Sequence, residues 1–524
     1  MIKSIKAPEG AMLSDTYTVY VKSVGTDYQQ LSVYTALTSD GTGNSQHFPP
    51  EFFKEFDGLE YGTRVTKTYF SSFDTDEDAE VKIVYNGNAG NFKIKPETLN
   101  KRFRQDGNSV AFTISPGEKL VIEAGGNIFN SLKLFCNEIS VPENSKDNYI
   151  EFKPGYYTSK NCDYISINEH GVPVIDGIPD NTTVYIHDGA VLCAAVVLKN
   201  KHNIKICGRG IISLIERCYG ADRNFSAAPL YGGFRYWALP NIYIQSGISN
   251  IDIEGICLNC EFRGIVIRNS ENINISNVKM ISGCVNADGI NVMNTRRLLI
   301  ENCFIQSADD CIAVFTSCDS IPALSDSGYS VSVPVSSDIE AKGCTLFTIA
   351  RPFMVGGHAT GNTNPHDLVE NISFHDIEVV DIANNIYKAS VEHVRYWSGV
   401  FRILSQSEQY VRNISFKNIN INWTRGYIGK AVHIEVRSDE TASYTEKQGY
   451  RIENISFENI HFYNCPASIM ESVIISDFKG NKPNSDYGIS KVTFKNFTYD
   501  KKPIEYSQDY IITDDSASDI NVFK

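Results

Sequence analysis

The chain has 524 residues, with 48 Lys and Arg against 62 Asp and Glu and a formal charge of −14. No long basic run or basic-aromatic cluster offsets that charge, which excludes nucleic acid as an expected partner, and no apolar span reaches the roughly 18 residues of a membrane helix, which excludes the membrane. A chain of this length needs two domains or one elongated repetitive one.

The opening MIKSIKAPEGAMLSDTYTVYV lacks the apolar core of a secretory signal. It predicts a cytoplasmic protein, or an extracellular one if a signal was removed. The 13 cysteines are odd in number and scattered singly, as suits small buried residues in a reducing compartment rather than a disulfide frame. Cys257 and Cys260 form one CxxC with no second pair or nearby histidine, so no zinc site is expected there.

Up to about residue 145, alternating stretches (TYTVYVKSV, QQLSVYTAL, AEVKIVYNG, SVAFTIS, EKLVIEAGG) are joined by Gly, Asp and Pro turns. They predict an antiparallel β-sandwich, with one short helical stretch at PPEFFKEF. The rhythm changes near ISVPENSKDNYIEFKPGYY, which divides the chain into residues 1–148 and 149–524. Beyond that point an Asn-Ile-x-Ile/Phe unit recurs: NIKICG at 203, NIDIEG at 250, NINISNV at 272, RLLIENC at 297, DIEAKGC at 338, NISFHDI at 371, NISFKNI at 413, NISFENI at 454 and KVTFKNF at 491. The closest spacings are 22 residues (Asn250 to Asn272) and 25 (Asn272 to Arg297), one coil of a parallel β-helix; wider ones mark loops inserted at corners. The fold class is therefore all-β, a parallel β-helix preceded by a sandwich. The unit-start asparagines predict amide ladders at a turn, and this turn role outweighs glycosylation where Asn371, Asn413 and Asn454 match the sequon.

Within NADGINVMNTRRLLIENCFIQSADDCIAV, Asp288 precedes Asp309 by 21 residues, about one coil, and Asp310 follows directly. One coil of separation places Asp288 and Asp309 side by side. Adjacent residues of a strand point to opposite faces, so Asp309 and Asp310 share a cleft only at a strand end or bend. Gathered carboxylates repel, which raises at least one pKa. An acid beside ionised carboxylates is what glycoside hydrolysis requires, inverting enzymes holding the two groups about 6.5–9.5 Å apart. A structural alternative reads Asp288-Gly289 as an Asx turn and Asp309-Asp310 as a corner cap or calcium site.

Four motifs, NADG at 286–289, SADDCIAV at 307–314, GGH at 356–358 and GVFRIL at 399–404, resemble in order those of glycoside hydrolase family 28, the polygalacturonases. The segment NGNAGNFKIKPETLNKRFRQDGNSVAFTISPGEKLVIEAGGNIFNSLKLFCN is similar to the β-sandwich that precedes the β-helix in the dextranase and isopullulanase family, glycoside hydrolase family 49. The resemblance implies a right-handed β-helix, an inverting mechanism, a carbohydrate substrate and no metal or other cofactor. It implies Asp309 as general acid, Asp288 and Asp310 as the pair that holds and deprotonates water, His358 as their support, and Asn286 and Arg402 as substrate contacts. The family's Arg-Ile-Lys lysine is Leu404 here, with Lys388 a candidate substitute, and His366 and His375 are alternatives to His358. The Arg and Lys recognise a sugar carboxylate in pectin-degrading members, so with Leu404 here the expected substrate is a pectic-type or a neutral glycan.

Aromatic residues near the expected cleft, Tyr231, Phe234, Tyr236 and Trp237 in LYGGFRYWALP and Tyr396 and Trp397 before Arg402, suit sugar rings. Trp237, Tyr396 and Trp397 are the expected substrate platforms. Competing functions are a non-catalytic carbohydrate-binding or adhesin β-helix, and a polysaccharide lyase, which needs a base and commonly calcium.

Overall fold

Asparagine takes the left-handed backbone conformation more readily than other residues with a side chain, and the repeat uses it at most of its coils. In a computed structural model of the chain, Asn203, Asn250, Asn272, Asn371, Asn413 and Asn454 have φ between 54° and 61°. The structure describes all residues except 40–64, 140–146, 170, 216–229, 232–233, 236–238, 283–286, 317–334, 358–366, 383–398, 407, 424–429, 437–448, 466–472, 476–487, 505–510 and 514–516.

The corner asparagines bond coil to coil, Asn413 donating to Asn371 at 3.0 Å and Asn454 to Asn413 at 2.8 Å. Where the unit begins with another residue the ladder continues through it. Arg297 Nε donates to Asn272 at 2.6 Å, and Asn371 to Asp338 at 3.1 Å. Five residues on, a second ladder runs from Asn496 to Asn459, Asn418 and Asp376. The amides of Asn371, Asn413 and Asn454 are thus committed to the turn.

Between these corners, among the described residues, 29 strands from Asn148–Phe152 to Ala517–Phe523 form one almost wholly parallel sheet, wound into a β-helix. Each inward position stacks on its equivalent one coil away. Ile244, Ile267, Val292, Val314, Val355, Ile403 and Ile434 form one such column in register, fully buried. Phe374, Phe416, Phe457 and Phe494 form another, their rings stacked 5.0–5.1 Å apart and nearly parallel. Strand separation sets that ring spacing, so the aromatic column extends the backbone ladder into the core.

Residues before the β-helix form two sheets. One contains Val65–Thr75, Leu132–Glu138, Lys119–Glu123, Lys93–Lys95, Ile2–Lys3 and Tyr34–Ser39; the other contains Gln29–Leu31, Tyr17–Lys22, Ala79–Tyr85, Ser109–Ile114 and Phe103–Asp106. Val19, Val81, Ile83, Leu120 and Leu134 fill the space between them. The pattern predicts antiparallel pairing throughout, yet Val65–Thr75 and Leu132–Glu138 pair in parallel. Between these two strands the chain crosses to the other sheet and returns, so both run in the same direction, each with an antiparallel neighbour on its outer edge, Tyr34–Ser39 and Lys119–Glu123. The PPEFFKEF stretch lies outside the described residues, among which the one helical element is the turn Glu97–Leu99.

The first sheet's other face lies against the β-helix, Phe70 and Phe135 packing with Val191, Cys257, Phe304 and Phe347. Polar ties fix the contact: Lys95 Nζ to Asp381 at 2.8 Å, Asn259 to the Thr35 carbonyl at 3.0 Å and Gln306 to Thr38 Oγ1 at 2.8 Å. Cys257 faces this contact while Cys260 faces the β-helix core, so the CxxC sulfurs belong to different packing layers. No helix among the described residues is long and apolar enough to cross a membrane.

Candidate active site

The three aspartates stand where coils enter one sheet of the β-helix. Asp288 is two residues before strand Ile290–Glu301 and Asp310 two before Ile312–Phe315. Arg263 and Arg351 hold the same place before Ile265–Ser276 and Phe353–Gly356. Because Ile265, Ile290, Ile312 and Phe353 pair in register, Arg263, Asp288, Asp310 and Arg351 form one column, cation, anion, anion, cation.

Local sequence explains the placement. A Cβ on Gly289 would lie 2.3 Å from Ile305 Cγ2 and 2.5 Å from the Cys311 carbonyl oxygen, so only glycine lets the coils approach beside Asp288. Its N–H donates to the Asp310 carbonyl at 2.8 Å. The chain bends between Phe304–Ser307 and Ile312–Phe315, where the Asp309 carbonyl accepts bonds from Ser307 Oγ (2.7 Å) and Thr348 Oγ1 (2.6 Å). This bend turns both adjacent carboxylates to one side, as their shared use requires.

One oxygen from each of Asp288, Asp309 and Asp310 lies within 4.8 Å of the other two. Arg351 grips Asp310 with Nε at 2.5 Å and a terminal nitrogen at 3.0 Å, and reaches Asp309 only at 3.5 Å. Arg263 Nε pairs with Asp288 across 3.2 Å, and Asp288 accepts hydrogen bonds from Asn291 (2.9 Å) and from the Asp310 N–H (3.2 Å). Burial, and then the charges of Asp310 and Asp288, hold the Asp309 carboxyl well above the usual range. Burial pushes Asp310 up to about 6, with Arg351 opposing. Ionisation is therefore disfavoured more strongly at Asp309 than at Asp310. One cation could bridge the same oxygens, but the arginines already supply the positive charge that Asp288 and Asp310 need.

Other expected site residues divide into two sets. Asn286, Trp237, His358, Tyr396 and Trp397 lie outside the described residues, as do Tyr236, His366 and Lys388. Arg402 and Leu404 lie on strand Phe401–Ser405, in the same sheet as the acids. The Arg402 side chain is fully buried and paired with Glu435, and it donates to the His433 carbonyl at 3.4 Å. Leu404 completes an apolar cluster with Val266, Met293, Ala313, Phe315 and Met354. His375 bonds to Asp376 and Glu340, in the sheet that carries the asparagine ladders.

Sequence reasoning did not single out Arg263, Arg351, Glu435 or Gln409. Arg263 precedes Asp288 by 25 residues, one coil, so counting coils backwards would have found it. Arg351 follows Asp310 by 41, across the inserted loop, and spacing alone does not reach it. Gln409 holds both backbone groups of Gly357, accepting from its N–H at 2.8 Å and donating to its carbonyl at 2.9 Å. Its amide also donates to Thr316 Oγ1, which is bonded to Asp367. This network fixes the residue before His358.

Residues 235–332, which include Arg263 and all three aspartates, match the model of glycosyl hydrolases family 28. The protein is a glycoside hydrolase. Among solved structures, Dex49A from Penicillium minioluteum aligns with 99% of this hydrolase and 96% of its own chain at 13% identity and a TM-score of 0.60. That overlap includes the sandwich as well as the β-helix, so the two chains share the whole architecture. The family 28 exopolygalacturonase of Yersinia enterocolitica aligns over 99% of both chains at 11% identity (TM-score 0.35), and the polygalacturonase of Erwinia carotovora ssp. carotovora over 74% of the hydrolase and 99% of its own chain at 14% (TM-score 0.39). A search of curated proteins finds no match.

Proposed function

We propose that this hydrolase cleaves a neutral oligo- or polysaccharide with inversion, Asp309 acting as general acid and Asp288 with Asp310 as the base pair that holds the attacking water. The observation that carries the reading is the unequal partnering of three like groups: Asp288 and Asp310 each face an arginine, while Asp309 has only a 3.5 Å approach from Arg351. Oxygens no more than 4.8 Å apart can be bridged by one water making two bonds of about 2.7–2.8 Å. In the reaction the Asp309 proton passes to the glycosidic oxygen as its bond to the anomeric carbon breaks. Water attacks that carbon from the opposite side and gives its proton to the aspartate pair.

Charge among the described residues supports a neutral substrate. Arg402 is spent on Glu435, Leu404 carries no charge, and Arg263 and Arg351 face aspartates. A uronate would bring an anion to this carboxylate-rich site and find these cations already committed. His358, Asn286, Trp237, Tyr396 and Trp397 keep the site roles the family resemblance gives them, and residues 1–148 are proposed as a separate domain docked on the catalytic one.

Proton NMR of products from a pectic, α-glucan and galactan panel tests the whole reading, with Asp309→Asn as control. Hydrolysis of a neutral glycan with inverted anomeric configuration, lost in Asp309→Asn, is expected; equal activity in the variant removes Asp309 from its role. Oxygens this close also approach the about 5–5.5 Å separation of retaining enzymes. A retained configuration would reassign one aspartate as nucleophile.

A further inference from the structure

Three carboxylates of the same chemical type, gathered in one buried site, have no intrinsic reason to divide the work. What distinguishes them is the coil on either side. Arg263, one coil before Asp288, and Arg351, one coil after Asp310, close the column at both ends. Asp309 projects from the bend beside it. Two guanidinium groups, two carboxylates and one carboxylic acid sum to zero charge, the arrangement a buried site tolerates best.

We propose that Arg263 and Arg351 are positioning residues that allocate the single proton of the site, holding Asp288 and Asp310 ionised so that it resides on Asp309. This rests on the catalytic reading above. The bidentate grip of Arg351 on Asp310, at 2.5 and 3.0 Å, is of the strongest class of charge-assisted bond and also orients the carboxylate. Arg263 faces Asp288 through a single ion-pair approach, Nε 3.2 Å from a carboxylate oxygen to which Asn291 donates at 2.9 Å. Other titratable groups close by are Glu261, buried two residues before Arg263, and Cys311, whose thiol burial pushes up to about 12 so that it stays neutral. Without an arginine, its aspartate competes with Asp309 for the proton.

A substrate-independent test is the pH titration of the full chain labelled with carbon-13 at the aspartate side-chain carboxyls, with Asp288→Asn, Asp309→Asn and Asp310→Asn assigning the three signals. In the wild type Asp309 should lose its proton last. In Arg351→Met the Asp310 midpoint should rise by a pH unit or more, because a cation that favours its ionised form is gone, and Arg351→Lys should recover part of that shift. Arg263→Met should raise Asp288 in the same way. The acidic limb of kcat/KM, measured on whichever panel glycan is cleaved, should move with these midpoints.

Unchanged midpoints in folded Arg351→Met and Arg263→Met overturn the proposal while leaving Asp309 as the acid. If Arg351→Met does not fold, Arg263→Met and Arg351→Lys decide it by the same criterion. Full activity in Asp309→Asn overturns the catalytic reading instead, and the NMR midpoints still report whether the arginines allocate the proton.

Discussion

Two corners of the β-helix follow different rules. At the ladder corner one residue type repeats, Asn371, Asn413 and Asn454 each taking positive φ and each bonding to the next. Where coils enter the catalytic sheet the residue type is not kept, and the column runs Arg263, Asp288, Asp310 and Arg351. Repetition serves a geometry that every coil must satisfy in the same way. Variation gives equivalent backbone positions different charges, and so different chemistry.

Breaking the catalytic corner should give the largest effect. Asp309→Asn is expected to lower kcat by about 10²–10⁴-fold. It should also raise Tm by a few degrees, because a half-buried acid crowded by two other carboxylates is relieved. Activity loss with a fall in Tm would mean that the aspartate is structural.

Next is the core column behind both corners. Phe416→Ala should destabilise the chain by about 3–5 kcal/mol in a denaturant titration, since Phe416 is stacked on Phe374 and Phe457 and edge-on to Phe401. A cost below about 1 kcal/mol would show that the column does not act as one core.

At the ladder corner, Asn413→Ala removes a link from a bonded chain and places alanine at φ 56°. A loss of about 1–3 kcal/mol with unchanged kcat is expected. Asn413→Gly, which relieves only the backbone strain, should recover part of it. A catalytic effect as large as that at Asp309 would erase the distinction between the corners.

The smallest effect is that of pH. With Asp310 near 6, kcat/KM should fall about tenfold per pH unit below that value as the base becomes protonated. Stability should move the other way. The folded pKa lies above the unfolded value of about 3.9, so the unfolded chain releases its proton first as pH rises, and stability declines between about 4 and 6. A flat profile across that window would remove Asp310 as the base.

Legibility in the sequence followed the same division. The Asn-Ile unit gave the coil length, and the coil length placed Asp288 next to Asp309 before any coordinates. Arg402 was also visible as a motif residue, but its commitment to Glu435 was not, because the two are 33 residues apart on separate coils. The parallel pair in the sandwich was hidden for a similar reason. Alternation reports which residues are buried, and it does not report which edge a strand meets.

By itself the sequence determined the solenoid, its corner ladders and the meeting of three carboxylates, because a repeat of fixed length converts separation along the chain into distance in space. Only the tertiary structure decided how those carboxylates differ. Their pKa values depend on burial and on which cation faces each of them, and Arg351 reaches Asp310 across an inserted loop whose length no periodicity encodes.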